Sequence, residues 1–348
     1  MSTRISVIFP YSPREERTVF PILSSLLWRI CTPGGELYND RAKPLLVVNR
    51  DTVMRGYYKD FLDYLSSSTG RLEIPDERAL EELMDVLKVW SVDTCQMWLN
   101  GFGKILDDID GSPEGSDDTS TVLQIPGDVT QIEDFEYYVE QIKYLALVVE
   151  DGKRTHPPVA LCVGDYDIKL EGAKHLIDVY GTFPLLFNWF PTVAAKLRAH
   201  PHNIKRPRSE FFAVSVAFLR EMLKKRKFAY EQTMAFLVYA LFDNEGEAGR
   251  ENRDDRRNTT QSWQIQRRPI GTVRDYGAER GFREATDQIE RAERMLKVLW
   301  RESHGGDTFN VDDFERLDRR STAIREAAMV CLENILRPVR SSAARPQT

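Results

Sequence analysis

Apolar and polar positions along the chain fall into two alternating patterns. Short apolar runs at 5–11 (ISVIFPY), 44–52 (PLLVVNRDT), 122–125 (VLQI) and 158–168 (PVALCVGDYDI) end in proline, glycine or polar residues and read as buried strands. Between them lie stretches with helical spacing: REERTVFPILSSLLWRI, MRGYYKDFLDYLSS (54–67), LEELMDVLKVW and VDTCQMWLNGFGKIL within 77–107, and 132–152. A helix-rich region at 172–199 leads to a short strand within RSEFFAVS (208–215). VAFLREMLKKRK and YEQTMAFLVYALF read as helices, SWQIQRRPIGTVRDYG (262–277) as strand-like, and 282–303 and 310–336 as charged amphipathic helices. Buried strands alternating with helices predict an α/β fold: a mainly parallel twisted sheet with helices on both faces, plus C-terminal helices.

Two segments lack either pattern. Residues 107–120 are acidic with Gly, Ser and Pro, and 243–260 are charged and rich in Gly and Asn; both are expected to be loops, the second mobile. The expected organisation is a main domain over 1–281, a helical extension over 282–336 that packs on it, dimerises, or both, and a disordered tail over 337–348. At 348 residues the chain can bury a substantial core.

The formal net charge of −6 argues against a general nucleic-acid partner. Four cysteines lie far apart without metal-ligand spacing, so they read as reduced residues of a cytoplasmic protein. The N-terminal apolar run is too short for a signal peptide, and no stretch reaches the ~18–20 apolar residues of a membrane span. A peripheral membrane contact stays open. The aromatic run YGTFPLLFNWFP (180–191) supports it through Phe187 and Trp189, which would cover a lipid or sugar acceptor; packing against the sheet is the plainer account.

In a parallel sheet, ligands meet the carboxyl ends of the strands near the point where strand order reverses. That rule selects Tyr11, Asn49, Asp51, Asp128, Asp165 and Asp167. No GxGxxG follows the first strand, and GxxxxGK[ST], GxSxG and HExxH are all missing. The five histidines form no i, i+4 pair. What remains is carboxylates at strand ends: PGD (126–128) and GDYD (164–167). They suit a hard divalent cation bridging two phosphates, or they cap turns and the helices that follow.

The order of segments resembles the GT-A class of nucleotide-sugar glycosyltransferases, over roughly 4–303. SVIFPYSPREERTVFPILSSLLWR resembles that class's opening strand and helix, and LLVVNRDT its second strand with an acidic end. DTCQMWLNGFGKIL resembles the helix before the metal motif, with Asn100-Gly101 at the matching places. TVLQIPGD falls where the family carries Asp-x-Asp. VALCVGDYD resembles a strand of polyprenyl-phosphate sugar synthases. RSEFFAVSVAFLREMLKKRKFAYEQTMAFLVYAL resembles the acceptor-side segment, and WQIQRRPIGTVRDYGAERGF the late strand and basic loop.

The resemblance implies a sugar transferred from a nucleotide-diphospho-sugar donor to an acceptor hydroxyl or phosphate, the acceptor being lipid-linked or phosphorylated, with Mg²⁺ or Mn²⁺. It implies that Pro10 and Tyr11 stack on the base, that Asn49 and Asp51 contact base or ribose, and that Asn100 lines the donor site. Asp128, the one aspartate left of the metal motif, would hold the cation, with Asp165 and Asp167 as the alternative ligands. Glu231, then Glu210, would be the general base. Arg267, Arg268, Arg274 and Arg280 would supply phosphate contacts, since the guanidinium fork donates parallel hydrogen bonds. The reduced motif also admits a non-catalytic binding or scaffold protein. A nucleotidyltransferase is disfavoured because PYSPREER lacks the glycines and lysine of a phosphate loop.

Overall fold

The computed structural model describes residues 5–11, 20–31, 45–49, 88–92, 97–110, 120–127, 129–167, 176–199, 201–225, 232–242, 263–275, 282–305 and 309–343, with isolated positions between 59 and 81. Its described strands are β1 (Ile5–Tyr11), β2 (Leu45–Asn49), β3 (Lys88–Val92), β4 (Thr121–Gln124), β5 (Val129–Ile132), β6 (Val159–Asp167), β7 (Phe212–Ser215) and β8 (Gln264–Asp275). The helices are α1 (Phe20–Cys31), α2 (Met97–Asp110), α3 (Phe135–Gly152), α4 (Phe183–Trp189), α5 (Pro191–Arg198), α6 (Val216–Lys225), α7 (Gln232–Leu241), α8 (Phe282–Ser303) and α9 (Val311–Ala343). A π-helical turn, Asp178–Thr182, precedes α4.

The strands form one sheet in the order β3-β2-β1-β4-β7-β6-β8-β5. Pairing is parallel from β3 through β4 and again between β6 and β8, whereas β7 runs antiparallel to both neighbours and β5 antiparallel to β8. The protein is therefore α/β with a mixed sheet, in which six of the eight described strands run one way and β7 and β5 run against them. Two further differences concern β3 and β5. LEELMDVLKVW does not stay helical to its end, because Lys88–Val92 pairs with β2 at the sheet edge. Val129–Ile132 is a strand before α3 begins, where Asp134 caps the helix by accepting from the Tyr137 N–H at 3.0 Å.

Side chains alternate across each strand, and each face has its own core. Ile5, Val7, Leu123, Cys162 and Ala213 pack with α1 and α3. Ile8, Val122, Val163, Phe212 and Val214 pack with α2, α4, α6, α7, α8 and α9. The C-terminal helices thus share the main core. Trp189 is buried among Trp300 and Phe314 rings, and its indole N–H donates to Ser321 Oγ at 3.1 Å. Glu293 on α8, 1% exposed, accepts from Arg325 on α9 at 2.8 Å, which clamps the hairpin. α9 continues past residue 336 to Ala343, through the first part of the expected tail. Residues 243–260 and 111–119, expected as loops, and residues 344–348 lie outside the described residues. Among the described residues no helix is long and apolar enough to cross a membrane.

β7 fits between β4 and β6 because one neighbour lacks a side chain. A Cβ on Gly164 would stand 2.8 Å from Phe211 Cβ, and the Gly164 N–H donates to Phe211 O at 2.8 Å. Gly164→Ala is expected to destabilise the fold by about 1–3 kcal/mol through overpacking, read by chemical denaturation. Unchanged stability would show that the strand pair can separate without cost.

Candidate functional site

Because β7 and β5 alone are reversed among the described strands, the carboxyl ends of β1, β2, β3, β4, β6 and β8 share one edge. The chain builds outward from β1 through β2 to β3, then returns to place β4 on the other side of β1. Strand order therefore reverses between β1 and β4, the position at which open α/β sheets in general receive ligands. Pro10 and Tyr11 end β1, and Asn49 ends β2. Ile125, just after β4, donates its N–H to Ile8 O at 3.0 Å, and Ile125, Pro126 and Gly127 are buried. Asp128 follows, outside the described residues, before Val129 opens β5. Asp51, Glu231 and Arg280 are outside them too, and Asn100 lies on α2.

A second polar group lies along the same edge, around β6. Asp165 is 4% exposed; its Oδ2 accepts from Arg267 Nε at 2.5 Å and from the Lys205 N–H at 3.1 Å. Its Oδ1 has no hydrogen bond among the described residues. One residue on, Arg206 is buried: Nε donates to Tyr166 O at 2.5 Å, Nη1 reaches Asp178 Oδ2 at 3.3 Å, and the guanidinium lies 4.6 Å from the Tyr166 ring centre. Ser209 donates to Gly164 O at 2.5 Å, and Thr233, at the start of α7, donates to Ser209 O. The loop from 201 to 211 is thereby fastened over the ends of β6 and β7. Gln124, buried at the end of β4, donates to Glu210 O at 2.9 Å.

These contacts sort the sequence candidates. Asp165 and Arg267, expected to serve a metal and a phosphate, bind each other. Asp165 does not fit a divalent cation, since two N–H donors already hold Oδ2 and a cation would sit against a guanidinium. Among the described residues no three His, Cys, Asp or Glu side chains come together as a metal cage. Arg267 and Arg268 are adjacent on β8 and face opposite ways: Arg268 lies over Tyr144 of α3, 5.1 Å from its ring centre. They do not serve one ligand. Arg274 is on β8 opposite Gln131, and Asp167 ends β6. Glu210 is half-buried at the entry to β7. Phe187 is 58% exposed, whereas Trp189 is 2% exposed and faces no acceptor, because α8 and α9 enclose it.

Sequence reasoning missed Lys205, Arg206, Asp178, Ser209 and Thr233. The basic run KRPR (205–208) just before an expected strand was the available signal. Burial pushes the Cys162 thiol up to about 12, so it supplies no thiolate nucleophile. Compared with known proteins, the chain matches no family model, and no curated protein matches it.

Two outcomes are expected. Arg267→Ala leaves the buried Asp165 carboxylate with one backbone donor and should cost about 2 kcal/mol, below the full cost of breaking a buried pair because Arg267 is 25% exposed; equal stability in urea denaturation would contradict this. His202, half-buried with Nδ1 3.2 Å from Ile265 O, is held below its ordinary pKa chiefly by burial. Its neutral form belongs to the folded state, so the stability it contributes is present above the unfolded value of about 6.5 and falls as pH drops. Melting between pH 7.5 and 5.5 should therefore fall more steeply for the wild type than for His202→Asn.

Proposed function

We propose that the chain is a GT-A-like glycosyltransferase that binds a nucleotide-diphospho-sugar at the carboxyl edge of β1 and β4 and transfers the sugar to an acceptor hydroxyl or phosphate. The observation that carries the reading is the reversal of strand order between β1 and β4, with Pro126-Gly127-Asp128 one residue beyond the end of β4. Groups that follow the carboxyl end of a strand at such a position are well placed to meet a ligand, which supports Asp128 as a donor contact. Pro10, Tyr11, Asn49 and Asp51 are proposed for the base and ribose, and Asn100 for the donor side.

In the reaction, the acceptor oxygen attacks the anomeric carbon while the bond from that carbon to the diphosphate oxygen breaks. Glu231 is proposed to take the acceptor proton. It immediately precedes α7, whose Thr233 is tied to Ser209 at the carboxyl edge. Arg267 keeps Nη1 and Nη2 without a hydrogen bond among the described residues, and its Nε is fixed by Asp165. A guanidinium held at one side is preorganised for an anion at the other. A bound Mg²⁺ or Mn²⁺ would neutralise diphosphate charge, with Asp128 as its proposed protein ligand. A cytoplasmic location belongs to the same proposal and agrees with the free thiols of Cys162 and Cys331.

A second reading, donor binding without transfer, is favoured by the Asp165–Arg267 pair, which removes one carboxylate from chemistry. The test is melting of wild type and Asp128→Ala with UDP, GDP, CDP and ADP, each with Mn²⁺ or EDTA. Ligand at a hundred times its Kd stabilises the fold by about 2.7 kcal/mol. A metal-dependent rise with one nucleotide, lost in Asp128→Ala, is expected. A rise without turnover of the matching nucleotide-sugar would favour the second reading, and no rise with any nucleotide would overturn both.

A further inference from the structure

One row of side chains crosses the sheet on the face that packs with α2 and α7. Register sets Ile8 beside Gln124, Gln124 beside Phe212, Phe212 beside Val163 and Val163 beside Arg267. Asp165, two residues on along β6, shares that face. The row is apolar at Ile8, Phe212 and Val163 and polar at Gln124 and Arg267, with Asp165 just beyond it toward the carboxyl edge. Each of the three polar side chains is held at one end only. Asp165 Oδ2 accepts from Arg267 Nε and the Lys205 N–H, while Oδ1 accepts no hydrogen bond among the described residues. Arg267 is tied through Nε alone. Gln124 Nε2 donates to Glu210 O at 2.9 Å, while its Oε1 accepts no hydrogen bond among the described residues.

A buried acceptor without a donor is costly, and such atoms concentrate where a ligand completes the site. Gln124 is fully buried and Asp165 is 4% exposed, whereas the Arg267 side chain reaches solvent at 25%. An anion would satisfy the guanidinium but set its charge against the Asp165 carboxylate. A cation would satisfy the carboxylate but meet Arg267. The fit is an uncharged group that donates and accepts at one atom, and a hydroxyl is that group. Its proton goes to Asp165 Oδ1 while its oxygen accepts from an Arg267 Nη. β4 lies two strand spacings from β6, about 10 Å, so Gln124 Oε1 is reached by a second hydroxyl of the same ligand. The β6–β8 register also slips directly after Asp165, an irregularity of the kind that re-aims side chains beside sites. We infer that the carboxyl end of this face binds an uncharged polyhydroxylated ligand, a sugar or similar polyol, through Asp165 Oδ1 and Arg267. The inference rests on the proposed transferase only in taking that ligand to be the acceptor, which is then an alcohol and not a phosphate; the binding itself needs no nucleotide.

The test is hydrogen–deuterium exchange of the full chain with the methyl glycosides of glucose, mannose and galactose, with inositol and with inorganic phosphate, each without nucleotide. At least one neutral polyol should slow exchange at residues 163–167 and 205–211. Its Kd, read by titrating that protection, should rise about tenfold in Asp165→Asn, which removes the charge and sets an amide N–H where Oδ1 stands. Arg267→Lys keeps the cation but loses the fork, and should weaken binding likewise; it serves as the reading if Asp165→Asn does not fold. In a chain that no nucleotide stabilises, such protection would remain and only the transferase reading would fall. No protection by any polyol, protection confined to other residues, phosphate protecting these residues better than every polyol, or an unchanged Kd in a folded Asp165→Asn would each overturn the inference.

Discussion

The reversed strand β7 is the constraint on which the rest of the carboxyl edge depends. All four of its residues are buried, and it hydrogen-bonds to β4 on one side and β6 on the other. Its direction decides where its entry loop lies. Because β7 runs against its neighbours, the loop from 201 to 211 arrives at the edge where β1, β4 and β6 end, and brings Lys205, Arg206, Ser209 and Glu210 there. A parallel β7 would deliver that loop to the opposite edge and leave the Asp165 carboxylate without its Lys205 N–H. Gly164 permits the arrangement, since any side chain there would meet Phe211.

The charges buried along this fold are paired, and the pairs join elements distant in sequence. Asp165–Arg267 ties β6 to β8, and Arg206–Asp178 ties the entry loop of β7 to the π-helical turn. Glu293 receives both Arg325 and Lys297, and Lys297 also reaches Asp318 at 2.5 Å. Burial disfavours the Lys297 ammonium, but Asp318 and Glu293 outweigh it and hold its pKa above the ordinary value. Such pairs add little net stability compared with apolar packing, yet breaking one strands a buried charge.

Much of this architecture was legible in the sequence. The apolar runs of β1, β2, β4, β6 and β8 are long enough to announce themselves, and FAVS within RSEFFAVS marks β7. β3 was hidden because Val89 and Trp90 extend the helical spacing of LEELMDVL, and only pairing with β2 makes them a strand. β5 was hidden because Val129–Ile132 includes polar residues and runs straight into a helix. Strand direction is set by tertiary packing, so the reversal of β7 left no local mark. At the site, sequence picked out both Asp165 and Arg267 but gave them separate tasks, since their hydrogen bond spans 102 positions. Trp189 looked available for an acceptor because its enclosure comes from helices more than a hundred residues later.

The site proposed for a nucleotide diphosphate is the carboxyl edge of the sheet at β1 and β4. Hydrogen–deuterium exchange with and without the nucleotide and Mn²⁺ locates binding directly on the backbone. The account predicts slower exchange at residues 8–11 and 124–129, with α9 unchanged. Protection confined to other edges of the sheet, or none at saturating nucleotide, would contradict it.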